Sequence, residues 1–316
     1  MKSGTLLAVA VTVFVGLIAT AIVEAHTDGE IVNSHAFYPE GPLWAGGLLY
    51  YAEMSADRVL RWDGKANQVF WRRKNCGPTS IAPFGQDGFV ILCHFENALV
   101  QVDGTGQTLA VFRRDVDHKR FKNPNDSIPD GSGGVYFSAS GVFDRRRPAT
   151  GAIYRLTPDG QIHKLVAGLR YSNGVAMSAN RTRLFVSEHL ARRVLEYSVS
   201  SDGALNFLSV YVDLDDIAPP SGSSYALAGP DGLEVDAAGN LYVCEYGAAR
   251  VVIINDKREL AAIVSYSQRY LTNIALDEDA AWMTLTGASD NRKPPFPGRV
   301  ERMRNPVTIR PGLVGK

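Results

Sequence analysis

The stretch YSNGVAMSANRTRLFVSEHLARRVLEY, residues 171–197, contains two apolar strands with a turn between them, and an Asn-Gly pair stands directly before the first strand. An Asn-Gly pair usually forms the tight turn of a hairpin. Here the turn comes later, at residues 179–181, so Asn173 begins a strand whose other positions are mostly apolar. A polar residue at this point indicates that the strand meets something polar where it starts.

The same pattern recurs along the chain. In six segments a polar residue, here called the lead residue, precedes a short apolar strand, a turn rich in Asp, Gly or Asn, and two further strands. The lead residues are Glu40, Thr79, Asn125, Asn173, Asp231 and Asn273, separated by 39, 46, 48, 58 and 42 positions. Such spacings are typical of propeller blades. The sequence therefore predicts an all-β fold, a six-bladed β-propeller with a central channel, over residues 30–305, followed by a C-terminal tail at 306–316.

Composition and charge narrow the classes of partner. The chain of 316 residues is 45% hydrophobic and 21% charged, with a formal net charge of zero. This is an ordinary globular composition, and it does not favour a nucleic-acid partner or an anionic membrane surface. A small-molecule ligand is the expected partner, and the oligomeric state is not assigned.

The N-terminus has the features of an export signal. An uncharged run extends from Leu6 to Val23, and Val23 and Ala25 are small enough for the −3 and −1 positions of a signal-peptidase site. The sequence predicts a signal peptide at residues 1–25, with a retained N-terminal anchor as the alternative. Either outcome places the remaining chain outside the cytoplasm, in the periplasm or secreted.

Cysteine usage is sparse. Cys76, Cys93 and Cys244 are too few for a disulfide framework, and their spacing fits no zinc site. An export route allows one bridge, for which Cys76 and Cys93 are the candidates because they are close in sequence. Three small buried side chains are the alternative.

The repeat brings oxygen-bearing side chains to one place. The first strand of each blade runs along the central channel, so the lead residues are expected to form a ring at one mouth. The ring contains no Lys or Arg that could pair with Glu40 and Asp231, and an unpaired buried carboxylate is strongly unfavourable. A divalent cation removes this problem, and a set of oxygen donors favours Ca²⁺ first, with Mg²⁺, Mn²⁺ or Zn²⁺ as alternatives.

A second group of residues is expected at the same mouth. The second strand of each blade returns towards the lead residue, which places its last residues over the ring. These residues are Met54, His94, Ser140, His189, Tyr246 and Thr286. The imidazoles of His94 and His189 are candidates for proton transfer or for hydrogen bonds to a substrate. Surface histidines on blade loops are the alternative interpretation.

Four segments in blade order resemble the signature segments of the senescence marker protein, gluconolactonase and luciferin-regenerating-enzyme family. They are EGPLW at 40–44, NPND at 123–126, SNGVAMS at 172–178 and GPDGLEVDAAGNLYV at 229–243. The resemblance extends over residues 35–303. It implies a six-bladed propeller that binds one catalytic divalent cation.

The resemblance also implies roles for individual residues. Glu40, Asn173 and Asp231 match metal ligands of the family. Asn125 matches a position that either completes the metal coordination or holds the substrate. Asp231 is in addition the expected general base or nucleophile, so Asp231 and Asn125 are the predicted catalytic residues.

Two departures from the family pattern fall where substrate specificity is set. Ala139 stands where many members have an Asp, and Asn123 stands where some have an Arg. The predicted substrate-binding residues are Asn123, His94, Ser140, His189 and Tyr246.

The predicted activity is metal-dependent hydrolysis of a lactone, either a sugar-acid lactone or a related small ester. In this mechanism the cation polarises the ring carbonyl, and Asp231 or a water that it activates attacks. One alternative is a propeller like strictosidine synthase. The other is a non-catalytic extracellular propeller that binds a small molecule or a protein and contains a structural calcium, because a fold does not by itself establish chemistry.

Overall fold

The chain folds into six four-stranded antiparallel sheets. The computed structural model describes residues 29–219 and 228–307, and in these the sheets contain 24 strands. The predicted all-β, six-bladed propeller is confirmed. The predicted signal peptide at 1–25, and all but the first two residues of the predicted tail, lie outside the described residues.

The strands follow one another from the inside of each blade to the outside. An N-terminal strand, β1 (Glu30–Phe37), precedes the first blade. The first blade consists of β2 (Pro39–Ala45), β3 (Leu48–Glu53), β4 (Arg58–Trp62) and β5 (Asn67–Arg72). The second consists of β6 (Pro78–Pro83), β7 (Phe89–Cys93), β8 (Ala98–Val102) and β9 (Thr108–Phe112). The third consists of β10 (Pro124–Pro129), β11 (Val135–Ala139), β12 (Gly151–Leu156) and β13 (Ile162–Leu169).

The remaining blades continue this order. The fourth consists of β14 (Ser172–Met177), β15 (Arg183–Glu188), β16 (Arg193–Val199) and β17 (Leu205–Asp213). The fifth consists of β18 (Gly229–Val235), β19 (Leu241–Tyr246), β20 (Arg250–Ile254) and β21 (Leu260–Ser265). The sixth contains β22 (Tyr270–Leu276), β23 (Trp282–Ala288) and β24 (Pro297–Arg304). Helical structure in the described residues is limited to α1 (Leu214–Ile217) and two 3₁₀ turns, Met54–Ala56 and His189–Ala191.

The N-terminal strand closes the ring of blades. β1 pairs antiparallel with β24 and is the outermost strand of the sixth blade. Val32 of this strand is buried with residues of the first blade, including Leu49 and Trp62. The last blade therefore combines both ends of the described chain, and β1 also packs against the blade that follows it. The sequence pattern assigned no strand to this segment.

The six inner strands pack against one another in a closed circle, in the order β2, β6, β10, β14, β18 and β22. Each has a β-bulge, a break in its pairing with the second strand, close to the lead residue. A bulge leaves a residue unpaired and redirects its side chain. In five blades the bulge includes the residue at the lead position, which explains why these polar side chains turn towards the channel. In the first blade Glu40 pairs with Ala52, and the bulge follows it at residues 41 and 42.

In the sixth blade the predicted lead residue is wrong by one position. The bulge in β22 falls on Thr272, between the paired residues Leu271 and Asn273. Thr272 consequently occupies the lead position. Asn273 lies one residue further along the channel and lines a separate cavity at the opposite mouth. Because neighbouring positions of a strand face different ways, a shift of one residue exchanges the side chains at the mouth.

A recurrent ion pair fixes the end of the second strand. In three blades the last or next-to-last residue of this strand is a buried glutamate that binds the arginine at the start of the third strand. The pairs are Glu53–Arg58, Glu188–Arg193 and Glu245–Arg250, with nitrogen–oxygen distances of 2.5, 2.7 and 2.6 Å. Each glutamate is followed directly by a residue at the channel mouth, so the pair positions that residue.

A disulfide occupies the same place in the second blade. Cys93 is the equivalent of these glutamates, because each of them pairs across the sheet with the residue before the lead residue. Cys93 is bonded to Cys76, with the two Cα atoms 4.6 Å apart. Cys244 is buried and not part of a disulfide. Of the two alternatives for the cysteines, the single bridge is the correct one.

None of the helices in the described part of the chain has both the length and the apolar character needed to cross a membrane.

The packing of β1 can be tested with two neighbouring substitutions. Val32 is buried, whereas the side chain of Ile31 is 56% exposed. We expect Val32→Ala to lower the free energy of unfolding by about 2 kcal/mol, because two buried methyl groups are lost and a cavity is left. Ile31→Ala is the matched control and is expected to change it by less than about 0.5 kcal/mol. Urea denaturation measures both, and equal effects would contradict the placement of this strand.

Candidate functional site

A cavity of about 340 Å³ lies at the mouth where the inner strands begin, and it is here called the upper cavity. Five of the six predicted lead residues line it: Glu40, Thr79, Asn125, Asn173 and Asp231. Thr272, which takes the sixth lead position, donates from Oγ1 to the carbonyl oxygen of Pro39, the residue before Glu40, at 2.7 Å. The predicted metal ligands Glu40, Asn125, Asn173 and Asp231 are thus brought together, and this set is here called the oxygen ring.

The Asn-Gly pair at the start of β14 has two separate roles. Gly174 lies against β18, where a Cβ atom would clash with the carbonyl oxygen of Asp231. The glycine therefore allows the fourth and fifth inner strands to approach closely. Asn173 is buried, as is Asp231, and both line the upper cavity. The side-chain oxygen of Asn173, Oδ1, is buried and has no hydrogen-bond partner.

The two carboxylates of the oxygen ring are in an unfavourable environment. Burial raises the pKa of Glu40 well above its usual value, and the negative charges of Asp231 and Asp126 raise it further. Burial and the charge of Asp126 likewise raise the pKa of Asp231. In the described part of the chain no Lys or Arg side chain lines the upper cavity. A positive charge at the ring would therefore stabilise both carboxylates.

The orientation of Asn125 is set by a neighbouring serine. Its amide nitrogen donates a hydrogen bond of 3.0 Å to Oγ of Ser140. The amide nitrogen therefore faces Ser140, which leaves the carbonyl oxygen as the atom of Asn125 that could bind a cation. Ser140 itself is buried and does not line the cavity, although it was predicted to bind substrate.

The oxygen ring has the chemistry of a hard-cation site. It offers two carboxylates and two side-chain amides, and one amide oxygen is buried without a partner. No group of three or more His, Cys, Asp or Glu side chains with metal-binding geometry occurs in the described residues. A cation at the ring would therefore depend on the amide oxygens as well as on the carboxylates. Such a mixture of carboxylate and carbonyl ligands is typical of Ca²⁺ sites.

A second acidic group lies below the ring, towards the opposite mouth. Asp126 accepts hydrogen bonds from the backbone N–H of Val175, at 3.0 Å, and from Oγ of Ser80, at 3.3 Å. Burial raises its pKa to about 6. Asp126, Glu234 and Asn273 line the separate cavity of about 150 Å³ at that mouth, the lower cavity.

Both predicted histidines are buried and line the upper cavity, which excludes the alternative of surface histidines. Nδ1 of His94 lies 3.2 Å from the carbonyl oxygen of Pro124, and Nδ1 of His189 lies 3.2 Å from that of Pro230. A carbonyl oxygen only accepts, so Nδ1 carries a proton in each ring, and in a neutral ring Nε2 is then an acceptor. Burial lowers the pKa of His94 to about 4. His94 is therefore neutral near pH 7 and does not serve as an imidazolium proton donor.

The other residues predicted at the entrance divide into two groups. Met54 and Tyr246 line the upper cavity. Thr286 is buried and hydrogen-bonded to Thr272. Asn123 is not among the described lining residues, and its backbone N–H donates to Oδ1 of Asn97 at 2.7 Å.

Sequence reasoning missed the aromatic wall of the upper cavity. Besides Tyr246, its aromatic residues are Tyr38, Phe95, Phe143, Tyr171 and Phe296. One signal was present in the sequence, because a tyrosine stands two positions before the predicted lead residue in two blades. These tyrosines are Tyr38 and Tyr171.

The chain is similar to known proteins over most of its length. Residues 38–288 match the SMP-30/gluconolactonase/LRE-like region, and this stretch contains the inner strand of every blade. A gluconolactonase from Zymomonas mobilis is 27% identical over 260 residues, which cover 72% of this chain and 70% of the relative.

Two solved structures have the same fold. A gluconolactonase from Xanthomonas campestris has a TM-score of 0.70 at 22% identity, covering 89% of this chain and 90% of that protein. Regucalcin from Agrobacterium tumefaciens, described as a calcium-binding protein, has a TM-score of 0.71 at 17% identity, covering 88% and 93%. With the family region matched over most of its length, the chain belongs to the SMP-30/gluconolactonase/LRE-like family of lactonase-related propellers.

Proposed function

We propose that this protein is a divalent-metal-dependent hydrolase that opens a small uncharged lactone in the upper cavity. The observation that carries the proposal is the oxygen ring, where two buried carboxylates without a cationic partner meet an amide oxygen without a hydrogen-bond donor. Membership of the family supports lactone hydrolysis as the reaction, as does the similarity to a gluconolactonase.

Ca²⁺ is the cation that we propose for the ring. Glu40, Asn125, Asn173 and Asp231 would hold it, and hard oxygen donors of this kind suit calcium better than a softer metal. The similarity to a regucalcin described as a calcium-binding protein supports the same choice. The cation, when bound, would supply Lewis-acid polarisation of the substrate carbonyl.

The chain's own residues would position the substrate and move the proton. Asp231 accepts a proton from the attacking water and returns it to the ring oxygen when the carbon–oxygen bond of the lactone breaks, so that a hydroxy acid is formed. Asn125, held by Ser140, orients the ester. Nε2 of His94 would accept a hydrogen bond from the substrate. Because no cationic side chain lines the described cavity, an uncharged substrate is favoured.

The position of the oxygen ring favours catalysis over a purely structural calcium site. A structural cation is normally enclosed by protein, whereas a catalytic one faces a space that a substrate can enter. The oxygen ring borders a cavity of about 340 Å³. Phe95 and Phe143, which also line this cavity, are exposed to solvent.

We also propose that the protein is exported. Disulfides persist in oxidising compartments, and the Cys76–Cys93 bridge suits such a location. Protein recovered from outside the cytoplasm is expected to begin at His26, which N-terminal sequencing measures. A mature chain that begins at Met1 would contradict cleavage of the signal.

Metal binding can be tested without an activity assay. In EDTA we expect Glu40→Gln to melt at a higher temperature than the wild type, because the substitution removes one of the buried carboxylates that repel each other. In Ca²⁺ the order should reverse. The wild type gains about 2.7 kcal/mol at a calcium concentration a hundred times Kd, and the variant loses a ligand and gains far less.

The matched control for this experiment is Glu234→Gln. Glu234 lies on β18, the strand that carries Asp231, but it lines the lower cavity. Its variant should keep the wild-type response to calcium in differential scanning calorimetry. An equal calcium response in wild type and Glu40→Gln would contradict the proposed site.

The reaction can be tested with a panel of lactones, aryl esters and phosphotriesters. We expect calcium-dependent hydrolysis of lactones that EDTA abolishes, and we expect Asp231→Asn to lower kcat at least about 100-fold because the base is lost. Acid release followed with a pH indicator measures the rates. Unchanged turnover by metal-stripped protein would rule out the mechanism, and turnover of no lactone under any metal would rule out the function.

A further inference from the structure

We infer that the substrate carries an apolar substituent, an alkyl chain or an aryl group, next to its lactone ring, and that the aromatic wall of the upper cavity binds this substituent. The inference rests on the proposed function and goes further, because it distinguishes an apolar lactone from a polyhydroxylated sugar-acid lactone. Four independent features of the cavity support it.

The first feature is the continuity of the aromatic wall. The Phe143 ring packs against Tyr171 at 4.9 Å and against His189 at 5.5 Å between ring centroids. His189 in turn lies 5.7 Å from Tyr246. Tyr38 packs against Phe296 at 5.8 Å. These contacts join most rings of the wall into a continuous aromatic surface, while Phe95 packs separately, against His94 at 5.7 Å.

The second feature is the exposure of two phenylalanines at the rim. Phe95 is 57% exposed and Phe143 is 46% exposed, although both line the cavity. Phe95 follows β7 of the second blade, and Phe143 lies between β11 and β12 of the third. Two large apolar side chains that remain exposed at a cavity mouth mark a surface that a ligand covers.

The third feature is the backbone of two wall residues. Tyr38 and Tyr171 have φ angles of +51° and +64°, in the left-handed region that residues with a Cβ rarely adopt. The equivalent positions of the second and third blades carry Gly77 and Asn123, the residue types that best tolerate this conformation. A tyrosine there costs about 1 kcal/mol or more. Both tyrosine rings line the upper cavity, which gives the strained positions a function in shaping it.

The fourth feature is the hydrogen bonding of several polar groups that line the cavity. Oγ of Ser55 donates to the carbonyl oxygen of Pro295 at 2.7 Å. The hydroxyl groups of Tyr38 and Tyr246 are 2.9 Å apart, and Nδ2 of Asn291 donates to the second of them at 2.8 Å. These groups already have partners within the protein.

Such a wall offers the several hydroxyl groups of a sugar-acid lactone few hydrogen-bond partners besides Nε2 of His94. A hydroxyl group that is buried without a hydrogen bond weakens binding, whereas an alkyl or aryl group gains from burial against aromatic rings. The cavity of about 340 Å³ is also within the range for drug-sized ligands, so it has room for more than a lactone ring. A neutral lactone with an apolar substituent fits these properties best.

The inference is tested with a homologous series of δ-valerolactones that carry methyl to nonyl groups at carbon 5, together with glucono-δ-lactone. For the calcium-loaded wild type we expect kcat/KM to rise by up to about fourfold for each methylene group that is buried, mainly through KM. In Phe143→Ala and Phe95→Ala the ratio of kcat/KM for the nonyl lactone to that for the methyl lactone should fall at least tenfold.

The matched control is Phe207→Ala. Phe207 is 58% exposed, as Phe95 is, but it lies on β17, the outermost strand of the fourth blade. This variant should retain the wild-type ratio. Thermal melts of all three variants check that the fold is intact.

The outcomes separate the inference from the proposed function. If the wild type hydrolyses lactones but prefers glucono-δ-lactone, or shows no dependence on chain length, the inference is overturned and the proposed function stands. If no lactone is hydrolysed, the binding of the corresponding 6-alkyl-δ-valerolactams, which resist hydrolysis, is measured by calorimetry. Tighter binding with longer chains then supports the apolar site, and no such trend overturns it.

Discussion

The structure depends on the burial of two carboxylates close together at the channel mouth. Glu40 and Asp231 are buried near each other, and no cationic side chain of the described residues lines the cavity that they share. The fold creates this situation because both residues stand at the start of inner strands, and in β18 a bulge leaves Asp231 unpaired. A buried pair of like charges is tolerated because six packed blades stabilise the surrounding backbone, and because a bound cation would reverse the sign of the interaction.

The residues above the oxygen ring are held by a contact that recurs in four blades, as an ion pair in three of them and as a disulfide in the other. Glu53, Glu188 and Glu245 each anchor the end of a second strand through an arginine, and in the second blade the Cys76–Cys93 disulfide occupies the same position. The residue that follows each anchor lines the upper cavity. The rigidity of the site therefore comes from contacts one residue away from it, which leaves the cavity residues free to vary with the substrate.

The oxygen ring and the aromatic wall have separate roles in the proposed function. The ring would determine the reaction, since its oxygens bind the cation and move the proton. The wall, which includes Phe95, Phe143 and Tyr171, would determine the substituent that accompanies the lactone ring. In the proposed function, a change in the wall would therefore alter the preferred substrate without altering the oxygen ring.

The sequence alone determined the repeat, the polar lead residues and the chemistry of their oxygens, because these follow from local patterns of apolar and polar positions. It could not place Thr272 rather than Asn273 at the mouth, since the position of a bulge depends on pairing with the neighbouring strand. Nor could it reveal that β1 closes the last blade, or that Tyr38 and Tyr171 line the cavity in a left-handed conformation. Those features were decided only by the tertiary structure, because they arise from contacts between segments far apart in the chain.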